Sequence, residues 1–225
     1  MNIVSKIAVA AGAGLGVFLL ATREAYGTES TGSSLPASAG YIPSGTPVSL
    51  GARAVAVGLR LVGTKEDPKG SNRGPAVDQI VRGVNSDGEK LLGKAWCARF
   101  VRFCFETAAK EMGLSPPFAG IKDSLAQVTS WRDTFKRWST DDPRTGCVAL
   151  LLSGGRSHAT LVVRREGDQI VTCEGNHNDQ VAIVSRPRSA FTIFLDIDRY
   201  CADRARSASV SGSGALLGLD VFTAW

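Results

Sequence analysis

The apolar residues of this chain keep a helical period and then break into short β-like runs. The change falls at DDPRTG, residues 141–146. Before it, starting from Cys97, apolar or small residues recur at Phe100, Val101, Cys104, Phe105, Ala108, Ala109 and Met112. Arg99, Arg102, Glu106, Lys110 and Glu111 fall off that stripe. This predicts an amphipathic helix over 93–112, with Cys97 near its start. Further helices are expected at about 50–62, 76–84 and 123–138, the last with Asp123 or Ser124 as N-cap. After the change, strands are expected at 147–152, 158–165, 169–174, 181–185 and 191–196. Helices first and antiparallel strands second predict an α+β domain, with N-terminal helices packed on a C-terminal antiparallel sheet, rather than a parallel α/β one.

The ends are set apart from residues 50–200. Ile7 to Thr22 is an uncharged run of sixteen, and Ala25-Tyr26-Gly27 offers a small-residue cleavage site. A membrane span needs roughly 17–25 residues, so residues 1–27 read as a signal peptide or a retained N-terminal membrane anchor. Export to the periplasm, the membrane surface or the outside is expected. Residues 28–49, rich in Ser, Gly, Pro and Thr, read as a flexible linker. Residues 201–225 form a Ser/Gly-rich tail ending in ALLGLDVFTAW. The net charge of +5 becomes 24 − 20 = +4 once Lys6, Arg23 and Glu24 are removed with residues 1–27. That surplus suits work beside an anionic polymer. It is spread along the chain without a dense Lys/Arg block, so nucleic acid is not expected as a partner. A monomer is expected.

Five cysteines, at 97, 104, 147, 173 and 201, show no C-x-x-C pair and no zinc-like spacing. An odd number leaves at least one free thiol. Asn85, Asp87 and Glu89 of NSDGE supply too few carboxylates for a calcium site of about 6–8 oxygens and read as a turn. Neither a metal nor a cofactor is expected. Cys97 is open to two readings: a packed core thiol, or a nucleophile at a helix N-terminus, where the macrodipole and free N–H groups favour a thiolate. A nucleophilic thiol needs a base, and the chain has two histidines. His158 opens the strand HATLVV, while His177 sits in the polar turn GNHND.

A third group follows from strand pairing. VVRREGDQIVTCEGN reads as a hairpin turning at Glu166-Gly167-Asp168. A three-residue loop pairs 165 with 169 and puts His158 opposite Asn176, with Glu174 on the same face one pair away. A two-residue loop would set His177 opposite His158 and turn Glu174 to the other face. Only the first register assembles Cys97, His158 and Glu174.

These residues resemble a known family. WCARFVRFC, SHATLVV and EGNHN are similar to the corresponding segments of the CHAP group of cysteine amidases and peptidases, papain-like enzymes related to NlpC/P60 that cut bacterial peptidoglycan. The upstream GTKEDPKGSNRGPAVDQI resembles the segment before the family's Trp-Cys motif, and the likeness spans roughly residues 50–197. It implies a papain-like fold, Cys97 as nucleophile, His158 as base, Glu174 as its orienting partner and Asn176 as a fourth polar member. It also implies peptidoglycan as partner and hydrolysis of an amide, either sugar–peptide or within the stem or crossbridge. The chain departs from the family pattern at Gly146-Cys147, where Gly-Asp is usual, and at Ala159-Thr160, where Val-Gly is usual. A non-catalytic wall-binding module and a papain-like protease or toxin acting on proteins are the other readings.

Overall fold

Four helices precede most of the sheet and one follows it in the computed structural model, which describes residues 48–121, 125–153 and 155–215. The expected export segment, all but the last two residues of the expected linker, the expected N-caps Asp123 and Ser124, and residues 216–225 lie outside the described residues. The helices are α1 (Leu50–Arg60), α2 (Pro75–Arg82), α3 (Cys97–Glu111), α4 (Val128–Phe135) and α5 (Ile197–Ala215). The strands are β1 (Ser139–Thr140), β2 (Val148–Ser153), β3 (Arg156–Glu166), β4 (Gln169–His177), β5 (Gln180–Pro187) and β6 (Ile193–Leu195). All pairings are antiparallel, in the order β1-β6-β2-β3-β4-β5. The chain is therefore α+β, as the change of period predicts. No helix among the described residues is long and apolar enough to cross a membrane.

Alternation along β2 builds two cores. Val148 and Leu150 join the larger one, with Val55 and Val57 of α1, Phe100, Val101 and Phe105 of α3, and Leu161 and Cys173 of the sheet. Cys147 and Ala149 turn to the smaller one, with Val162, Ile170, Phe191 and Phe194. Period-2 side-chain alternation is what lets one strand feed both layers. Helix α1 starts at Ser49, whose hydroxyl accepts the Ala52 N–H at 3.1 Å. It lies so close to the turn before β2 that a Cβ on Gly51 would sit 2.9 Å from Gly146 Cα. Only glycine fits there.

Three of the five charged residues of α3 that leave its apolar stripe are buried as well. Arg99 is 1% exposed, Arg102 9% and Glu106 6%. Asp87, in the NSDGE turn, is their anchor: one oxygen takes Arg99 at 2.6 Å and the other Arg102 at 2.6 Å. Arg99 also donates to the carbonyls of Val81 and Arg82, at 3.0 and 3.1 Å. The turn after α2 is thus clamped to α3 by hydrogen-bonded charge.

Several expectations change, and α3 begins at Cys97 rather than at Gly93. The helix expected at 123–138 is shorter: α4 begins after Gln127 and ends in a 3₁₀ turn at Lys136–Trp138. The Ser/Gly-rich tail expected from 201 is helical as far as Ala215, so α5 runs across the boundary drawn at 200. Ser and Gly are poor helix formers, and the start of α5 is held by tertiary contacts instead. Tyr200 packs edge-on against Phe135 and Trp138, each 4.9 Å between ring centres. Trp138 donates its indole N–H to Asp203 at 2.7 Å, and Asp198 accepts the Gly51 N–H at 2.7 Å.

The β3–β4 hairpin has a two-residue loop, not the three-residue loop expected, with Glu166 paired to Gln169. Arg165 then pairs with Ile170 and Arg164 with Val171. A bulge at Val163 shifts the register, so that Val162 pairs with Thr172 and Leu161 with Cys173. This shifted register, in which Leu161 faces Cys173, is the one the three-residue loop would have set. The extra residue is absorbed inside β3 instead of in the turn.

Candidate active site

Three elements meet at Cys97. It opens α3, which has Trp96 as N-cap and no side chain capping it, so first-turn N–H groups remain available. His158 comes from β3 and Glu174 from β4. Gly175 lets β4 close on α3: a Cβ there would lie 2.4 Å from Phe100 Cβ and 2.9 Å from the Trp96 ring. That contact fixes the helix start against the strand that carries Glu174.

His158 is the side chain that lowers the Cys97 thiol, and its Nε2 lies 3.1 Å from Glu174 Oε2. With Nε2 engaged, Nδ1 is the nitrogen left for the thiol. Burial pushes Cys97 up. The His158 hydrogen bond and charge, with N–H groups of Ala159 and Ala98, outweigh it, and the thiol lies below its ordinary value. Burial lowers His158, but Cys97 and Glu174 together raise it to about 9. Glu174 is fully buried. Burial raises its carboxyl, whereas hydrogen bonds from His158, Arg186 and Thr172 bring it down to about 2. The three shifts run in the direction that favours a thiolate–imidazolium pair backed by an ionised carboxylate.

The other four thiols go the opposite way. Burial pushes Cys104 well up, Cys147 to about 11, Cys173 to about 12 and Cys201 to about 11. All five thiols are free. Cys104, two turns along the same helix face, is an inert core residue, 0% exposed against 7% for Cys97.

Asn176 sits beside this triad in a network of its own. The orientation that satisfies its amide puts the oxygen 3.2 Å from the Trp96 N–H and the nitrogen 3.2 Å from Glu66 Oε1. Glu66, 6% exposed, also accepts the Trp96 indole N–H at 2.8 Å and the Asn72 N–H at 2.8 Å. Asn176 therefore holds the residue before Cys97 and the 64–75 loop, whose Glu66 N–H reaches Asp179 O at 2.9 Å.

Several site residues carry no sequence signal of their own. Arg186 of β5 donates to both oxygens of Glu174, at 3.1 Å from Nη2 and through Nη1. The Thr172 hydroxyl reaches Oε1 at 2.6 Å, and His177 Nδ1 lies 3.3 Å from Oε2. Thr172 shares a face with Glu174 by period 2, which the sequence could have shown. Arg186 and Glu66 depend on the neighbouring strand and on a loop's path, which it could not.

The depressed Glu174 gives a stability prediction. A carboxyl at about 2 when folded and 4.5 when unfolded contributes stability that is full above pH 4.5 and lost as pH falls toward 2. The shift corresponds to about 3 kcal/mol. Urea unfolding at stepped pH should show a steeper acid loss for the wild type than for Glu174→Gln. Equal slopes would contradict the ionised, clamped carboxylate.

The chain matches no family model, no curated protein and no solved structure.

Proposed function

We propose that the protein is an exported, papain-like cysteine hydrolase that cleaves an amide bond of peptidoglycan. The observation that carries the chemistry is the opposite behaviour of the thiols. Of five, only Cys97 is held below its ordinary value, and it alone touches an imidazole backed by a carboxylate. The substrate class rests on the resemblance of WCARFVRFC, SHATLVV and EGNHN to the CHAP group.

In the proposed reaction the Cys97 thiolate attacks the amide carbonyl and forms an S–C bond. First-turn N–H groups of α3 offer donors to the developing oxyanion. The C–N bond then breaks, and the His158 imidazolium gives its proton to the leaving amine. A water next attacks the thioester and passes a proton to His158, while the thiolate leaves. The resting pair is restored, and an acid and an amine are released. Glu174 keeps the imidazole oriented throughout. Asn176 and Glu66 hold Trp96 and hence the start of α3.

The test is mass spectrometry of purified sacculi after incubation with the enzyme. New amine and carboxyl termini at one amide position are expected, and they name the bond. Cleavage of unfolded proteins with intact muropeptides would replace this reading with a protein-directed protease. No cleavage of either substrate would leave a binding module.

A further inference from the structure

The Glu174 carboxylate has four polar neighbours around it, and they are not equivalent. His158 from β3 and His177 from the end of β4 both face Oε2, at 3.1 and 3.3 Å. Thr172 from β4 has one proton to give and lies within reach of both Glu174 Oε1 and Val184 O. Arg186 alone holds both oxygens. It reaches them from four cross-strand pairs along, two of them on its own face, since Glu174 pairs with Ala182 and Ile170 with Arg186. Cys97 of α3 lies beyond His158, and Cys173 faces the larger core on the other side of β4.

Charge makes Arg186 more than a neighbour. Thiolate, imidazolium, carboxylate and guanidinium alternate in sign along this chain of contacts and sum to zero. Without the guanidinium, a fully buried carboxylate would leave the group one negative charge in excess. That charge would fall on the His158 imidazolium and hold its proton more tightly. A general acid that binds its proton too firmly protonates a leaving amine more slowly.

Resting on the cysteine-hydrolase reading, we propose that Arg186 is the positioning residue of this site. Its two-pronged hold aims the Glu174 carboxylate at His158 Nε2 and shares its charge, which keeps the His158 proton transferable. The role is exerted through Glu174 and needs no contact with substrate.

The first readout requires no turnover. In a Cys97→Ala background, the NMR titration midpoint of His158 should rise by about one pH unit when Arg186→Gln is added, because a nearby cation is lost. Arg186→Lys, which keeps the charge, should leave it near the starting value. In the enzyme with Cys97 intact, Arg186→Gln should lower kcat about threefold to tenfold with little change in KM. Arg186→Lys should lower kcat less, because one ammonium cannot hold both oxygens. A His158 midpoint that stays or falls in Arg186→Gln overturns the proposal. If that variant does not fold, an Arg186→Lys enzyme with wild-type kcat overturns it. A wild type that cleaves no peptidoglycan, with the His158 midpoint moving as stated, sinks the substrate reading and leaves the role of Arg186 standing.

Discussion

Cys97→Ala is expected to lower turnover on purified cell walls by at least about 10⁴-fold while leaving the fold intact, as for loss of other enzymic nucleophiles. The side chain lost is small and 7% exposed, at a helix start rather than deep in the core. Its removal also unpairs His158, whose imidazole stays tied to Glu174 at 3.1 Å, so the expected stability change is within about 1 kcal/mol. A second measurement separates nucleophile from packing. Near pH 7, iodoacetamide should alkylate Cys97 and spare Cys104, Cys147, Cys173 and Cys201, which burial holds above the ordinary thiol value. The reading fails if Cys97→Ala digests walls at the wild-type rate. It also fails if Cys97 reacts no faster than an ordinary exposed thiol.

Gly175→Ala tests the junction beneath the site. The added methyl would lie 2.4 Å from Phe100 Cβ and 2.5 Å from its Cγ. A Cβ cannot swing aside, so α3 and β4 must separate or the strand must bend. Overpacking of this kind typically destabilises by about 1–3 kcal/mol. For a domain of this size that is roughly 2–4 °C in Tm per kcal/mol. Because Trp96 also meets the new methyl, at 2.9 Å from Cζ3, the start of α3 shifts with it. Activity should therefore fall by more than the loss of folded protein explains. Wild-type Tm and activity in this variant would mean that β4 and α3 do not meet as described.

Much of this was legible from residue order. The period change at 141–146 gave the layer order, because a helix stripe and a strand alternation need different repeats. The stripe from Cys97 to Met112 marked α3, and the alternation in CEGN set Glu174 apart from Cys173 and Gly175. His158 stood out because the chain has one other histidine, and that one also reaches Glu174. The hairpin shows where the legibility ended. Its turn was misread by one residue, and the site survived because a bulge at Val163 restored the register. Bulges have no local sequence rule strong enough to expect one there. α5 was hidden for a different reason: its composition opposes a helix, and Tyr200 and Asp198 supply contacts that propensity does not contain.

The sequence by itself determined the α+β class, the helix with Cys97 near its start and the strand positions of His158 and Glu174. All three rest on periodicity, which is a property of neighbours along the chain. Only the tertiary structure decided that Cys97 is the one thiol held below its ordinary value, that Asn176 and Glu66 grip Trp96, and that Arg186 completes the carboxylate's shell. A thiol's acidity is the balance of burial against nearby donors and charges. Here the donors and charge around Cys97 come from α3 and β3, far apart in sequence, so the balance exists only once the helix start meets the sheet.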